Sequence, residues 1–75
     1  MDAKAFLDSH GKEVSTQVAL RAGTNYAYFS QIAHGHRRPS PDLARSLVDA
    51  SVDLITDEAK RLDFESLLPP KKAAA

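Results

Sequence analysis

The 75-residue chain has no cysteine, no tryptophan and only three glycines. Without thiols there is no disulfide framework, no zinc ribbon and no cysteine nucleophile. No apolar run approaches the roughly twenty residues that a membrane-spanning helix needs. Asp2 and Lys4 stand at the start with no apolar stretch behind them, which argues against a secretory signal and makes the cytoplasm the expected setting. Val, Ile and Thr are sparse and never alternate for long, so a sheet is not expected. There is no paired nucleophile and base and no glycine-rich phosphate loop, so neither an enzyme nor a small-molecule substrate is expected. His34 and His36 stand together, but His10 lies far from them and no cysteine assists, a poor set for a metal. No cofactor is expected.

Net charge is also missing: ten Lys and Arg face ten Asp and Glu. That zero conceals a strong asymmetry. Residues 1–40 hold five cations and three carboxylates, and residues 41–70 hold three cations and seven carboxylates. Between Glu13 and Asp42 there is no carboxylate at all, while Arg21, Arg37, Arg38, His34 and His36 fall there. A surface built from that stretch is positive whatever the whole-chain sum.

What is abundant is helix punctuation. A chain of this size supports one modest core, hence one domain, taken as residues 1–68. Asp2 can cap a helix to about Ser9, with Phe6 and Leu7 inward and Gly11 at its end. Val14, Val18 and Ala22 recur at i, i+4 and i+8 and predict a second helix over about 13–22, closed by Gly23. Thr24 or Asn25 caps a third, with Phe29 and Ile32 inward and Gly35 at its end. Ser40-Pro41 marks a fourth start, followed by the stripe Leu43, Ala44, Leu47 and Val48. A fifth helix is expected over about 56–68, with Ile55, Ala59 and Leu62 on one side, although Leu62-Asp63-Phe64 also reads as a short strand. Pro69-Pro70-Lys71-Lys72 and three alanines, residues 69–75, read as a disordered tail. The expectation is thus an all-α domain of four to five helices.

The segment of about 14–34 has the make-up of a helix-turn-helix. Ala19 is small where the two helices must cross, Gly23 supplies a positive φ in the turn, and Val18, Ala22, Phe29 and Ile32 are apolar at the inward offsets. Thr24 departs from the Val or Ile more usual at its position. The run Val18-Ala19-Leu20-Arg21-Ala22-Gly23-Thr24-Asn25, followed by Tyr28-Phe29-Ser30-Gln31-Ile32, resembles the lambda-repressor-like helix-turn-helix. Its continuation, Ala33-His34-Gly35-His36-Arg37-Arg38-Pro39-Ser40-Pro41, is similar to the Cro-like and YdaS-like regulators of phages and prophages. The resemblance covers about residues 2–56. It implies a compact DNA-binding fold, operator binding, transcriptional control and, commonly, a homodimer on double-stranded DNA.

On that resemblance the third helix enters the major groove, and Asn25, Tyr26, Ala27, Ser30, Gln31 and His34 face the bases. Asn25 and Gln31 have the chemistry for bidentate contacts to adenine, and Ala27 suits a thymine methyl. Phosphates would be held by Ser15 and Thr16 at the start of the second helix, by Arg37 and Arg38, and by Ser40 at the start of the fourth. Asn25 is equally suited to capping. Leu20 points outward, and Leu54, Phe64, Leu67 and Leu68 exceed what one small core needs, so a dimer contact is expected in residues 56–68. The alternative function is a protein-interaction module of the same fold, such as an anti-repressor or a component of a toxin–antitoxin pair.

Overall fold

The aspartate, asparagine and serine punctuation reappears as three side-chain caps in a computed structural model of the chain, in which residues 1–67 are described. The Asp2 carboxylate accepts the Ala5 N–H at 2.8 Å and opens α1 (Ala3–Arg21). Asn25, not Thr24, caps α2 (Tyr26–Ala33), its Oδ1 accepting the Tyr28 N–H at 2.9 Å. Ser40 accepts the Leu43 N–H at 3.1 Å at the head of α3 (Pro41–Leu54), and Pro41 follows it where a missing N–H costs nothing.

The first two expected helices are two limbs of α1. They meet at Gly11, whose φ of 87° and ψ of 174° lie outside helical space and suit only glycine. The second limb ends in a Schellman motif at Gly23 (φ 91°): Thr24 N–H reaches the Ala19 carbonyl at 2.9 Å and Gly23 N–H the Leu20 carbonyl at 3.1 Å. The same pair of bonds closes α2, from His36 N–H to the Gln31 carbonyl and from Gly35 N–H to the Ile32 carbonyl. Both turns satisfy carbonyls that a helix end otherwise leaves bare.

Phe6, Val18, Ala19, Phe29, Ala44 and Leu47 are fully buried and form the centre of the core. The Phe6 and Phe29 rings meet edge to face at 6.2 Å and 73°, joining the first limb of α1 to α2. Ala19 lies buried beside them, the small residue that close helix approach requires. The radius of gyration is 11.4 Å, against about 11 Å expected of a folded chain this long. Among the described residues there is no strand, and no helix is long and apolar enough to cross a membrane.

The C-terminal segment departs from expectation. Instead of one helix from Thr56, a single 3-10 turn (Glu58–Lys60) and a four-residue helix α4 (Phe64–Leu67) are joined by extended chain. Ala59, expected inward, is exposed, whereas Leu62 and Leu67 are both buried. Those two leucines are five positions apart, a spacing one helical stripe cannot bury, and tertiary partners take up the backbone that a helix would have used. Ser51 Oγ accepts the Leu62 N–H at 3.1 Å and donates to the Val48 carbonyl at 2.8 Å. Arg61 Nε donates to the Ile55 carbonyl at 2.7 Å. The Met1 amine donates to the Arg61 carbonyl, and the Asp63 N–H to the Met1 carbonyl, each at 2.9 Å.

Among the described residues, the apolar side chains expected at a dimer contact pack within the chain to different degrees. Leu67 is buried, Leu54 packs against the core, and Phe64 is half-buried with the Arg45 guanidinium 4.8 Å above its ring. Leu68 and the tail of 69–75 lie outside the described residues. Among the described residues the large apolar side chains still in solvent are Leu20, 61% exposed, and Val52, 43% exposed.

Candidate nucleic-acid interface

The outer side of α2 is set by Phe29. With that ring pointing into the core, helical geometry turns Ala27, Ser30, Gln31 and His34 the other way. Ala27, Gln31 and His34 are exposed and Ser30 half-buried, so four of the six residues expected on the bases share one solvent-facing stripe. Tyr26 is half-buried on the flank. Asn25 sits at the helix head with one lone pair of Oδ1 engaged in its cap, so its Nδ2 donors and the second lone pair are what face a ligand. The structure shows Asn25 in the capping role, one of the two roles its chemistry suits.

Cations border the stripe on both sides. Lys12 Nζ lies 5.1 Å over the Tyr26 ring, and the Arg37 guanidinium lies 5.3 Å over the Tyr28 ring. Arg37 Nε also donates to Gln31 Oε1, and the Arg37 backbone N–H reaches the Gln31 carbonyl at 3.3 Å. Arg38 is exposed beside the buried Pro39. Ser40 is exposed at the head of α3; its Oγ accepts the cap bond, and its hydroxyl proton remains for an anion. His34 Nδ1 donates to the Ser30 carbonyl at 2.8 Å, which fixes the ring against α2.

Two expected phosphate ligands change role. Ser15 is fully buried, and its Oγ meets no hydrogen-bond partner among the described residues. It faces the core, three and four residues before Val18 and Ala19, and no phosphate can reach it. Thr16 is half-buried and its hydroxyl donates to the Lys12 carbonyl at 2.8 Å, so its one proton is already spent. Conversely, Lys12 lies outside the carboxylate-free stretch, with nothing in its sequence position to mark it, yet it reaches α2 through the Tyr26 ring. Arg21 belongs elsewhere: its Nε pairs with Asp53 on α3 at 3.4 Å, both side chains being more than half exposed.

The charged side chains of α2 and its two flanking turns are all cationic, although exposed Asp2 lines the same shallow cavity as Arg37 and Arg38. The carboxylate-free stretch from residue 14 to 41 contains all of α2 and both flanking turns. The acids of the second half lie on α3 and beyond, where Asp53 neutralises Arg21. Chemically the stripe offers N–H and O–H donors, a methyl at Ala27 and guanidinium groups, an array suited to a polyanion with hydrogen-bond acceptors. Comparison with protein-family models, curated proteins and solved structures gave no match for this chain.

Proposed function

We propose that the second limb of α1, the turn at residues 22–25 and α2 form a helix-turn-helix of the lambda-repressor-like kind. On this reading the protein is a sequence-specific, double-stranded-DNA-binding transcriptional regulator of Cro-like type. The observation that carries it is the exposed stripe of α2, polar and flanked by Lys12, Arg37 and Arg38, within a stretch that holds no carboxylate. A protein-binding surface has no need of that one-sided charge; a duplex with a phosphate every few ångströms has.

In this arrangement α2 lies in the major groove, with Ala27, Ser30, Gln31 and His34 toward base edges. Arg37, Arg38, Lys12 and the Ser40 hydroxyl hold phosphates and set the register. One such domain grips DNA weakly. Two copies on a palindrome, with half-sites about one helical turn apart, gain by effective concentration. With Leu54 and Leu67 packed against the core, Leu20 is, among the described residues, the large apolar side chain best exposed for a second copy.

Fluorescence anisotropy against the DNA flanking its own gene tests the proposal. Binding to that duplex should exceed binding to random duplex, and Gln31→Ala should cost roughly 1–3 kcal/mol on the preferred site alone. Equal affinity for both duplexes, unchanged by Gln31→Ala, would leave the fold as a protein-interaction module.

A further inference from the structure

We infer that Gln31 and Arg37 act as one recognition unit that presents only donors, and that this unit selects guanine where an unpaired glutamine would select adenine. The inference rests on the operator-binding reading above and names the base that its central side chain reads.

The chemistry follows from which atoms are already in use. Arginine has no acceptor, so the carboxamide atom that faces Arg37 Nε must be the oxygen, and the amide nitrogen Nε2 is turned away. A free glutamine reads adenine with both ends at once: oxygen accepts from N6–H, and nitrogen donates to N7. Here the oxygen end carries a guanidinium, whose positive charge opposes the approach of a further N–H donor. What remains toward solvent is the Nε2 pair of donors and the free ends of the Arg37 fork. The major-groove edge of guanine, with adjacent N7 and O6 acceptors, takes two donors. Adenine offers one acceptor and sets its N6 donor against another donor. Cytosine offers only a donor, and thymine a single acceptor.

Three further contacts keep the pair from being an incidental surface meeting. The Arg37 guanidinium rests over the Tyr28 ring at 5.3 Å. The Arg37 backbone N–H bonds the carbonyl of Gln31 itself at 3.3 Å. The turn between them is held by the His36 N–H, which reaches that same carbonyl at 2.8 Å. Arg37 is thereby folded back along α2, and no carboxylate within the stretch competes for it. It is a specificity-positioning residue for Gln31 as well as a cation near the backbone.

Selection of bound sites from random duplex, carried out with the full chain and with Gln31→Ala, Arg37→Met and Arg37→Lys, tests the unit. Helicity of each variant is checked by circular dichroism; both residues are exposed, so folding should persist. The wild type should enrich one position for guanine over adenine by roughly five- to 100-fold, and Gln31→Ala should flatten that position. Arg37→Met should move the same position toward adenine, because the oxygen is released, while Arg37→Lys, a donor-only cation that lacks the fork, should keep guanine first by a smaller margin. Adenine at the Gln31-dependent position in the wild type, or an unchanged base there in Arg37→Met, overturns the unit while operator binding stands. A selection that enriches no site at all overturns the operator reading and the unit with it.

Discussion

Replacing Ser15 with alanine should stabilise the protein. Its hydroxyl is fully buried and meets no hydrogen-bond partner among the described residues, in a limb packed on Phe29 and the rest of the core. A buried hydroxyl without a partner costs about 1–3 kcal/mol relative to its state in water. Alanine recovers that cost and adds up to about 0.5 kcal/mol of helix propensity over serine. Against this, the vacated space is no larger than one oxygen, a loss of under about 1 kcal/mol of packing. The net gain is about 1–2 kcal/mol, which for a domain of this size raises Tm by roughly 4–16 °C. Thermal unfolding followed by circular dichroism reads it directly. A fall in Tm would refute the reasoning, since it requires a hydroxyl with a good partner. The same variant carries a second readout. A residue shut inside the core touches no phosphate, so affinity for any duplex and its dependence on salt should not change.

Two other outcomes follow from the charge and apolar distribution. Arg38→Ala should weaken binding to all duplexes about equally and lower the slope of log affinity against log salt by about one per subunit; a loss confined to one sequence in anisotropy titrations would mean that Arg38 reads bases. Leu20→Glu, placed where the side chain is 61% exposed, should leave the thermal transition within about 0.5 kcal/mol and, if two copies associate through Leu20 as proposed, shift the protein toward monomer in sedimentation equilibrium; an unchanged mass distribution would refute a role for Leu20 in a contact between copies.

The elements that the sequence made legible share one property: their punctuation is local. Asp2, Asn25 and Ser40 cap through bonds three residues away, and Gly23 closes a helix through carbonyls three to five residues back. Such contacts need no knowledge of the fold. The segment after Ile55 obeys other rules. Its backbone bonds go to Ser51, Met1 and the Arg61 side chain, and a helical pattern drawn from Ile55, Ala59 and Leu62 cannot anticipate partners as far as 62 residues away. Ser15 is a different case, because its position was readable. Three and four residues before Val18 and Ala19, it falls on the inward stripe that those residues define. Its chemistry, a hydroxyl near a helix start, suggested a phosphate ligand, but helix periodicity places it inside.

The balance of charge shows how far position outweighs composition. Counted as a stretch, residues 14–41 hold three arginines and no acid, yet the fold divides those cations. Arg21 turns to α3 and spends its charge on Asp53, while Arg37 folds back over Tyr28 and joins Gln31. Lys12, outside the stretch, replaces Arg21 at the opposite flank of α2 through the Tyr26 ring. The number of cations near the candidate interface is thus conserved by exchange, but their character is not. Both flanking cations rest on aromatic rings that belong to α2, so they move with that helix and their distance from its exposed stripe is set by tyrosine packing rather than by loose surface rotamers. On the operator-binding proposal, cations mounted on α2 itself would fix register and base contact together, and this is the physical reason that loss of Arg37 should then alter which base is chosen as well as how tightly the duplex is held.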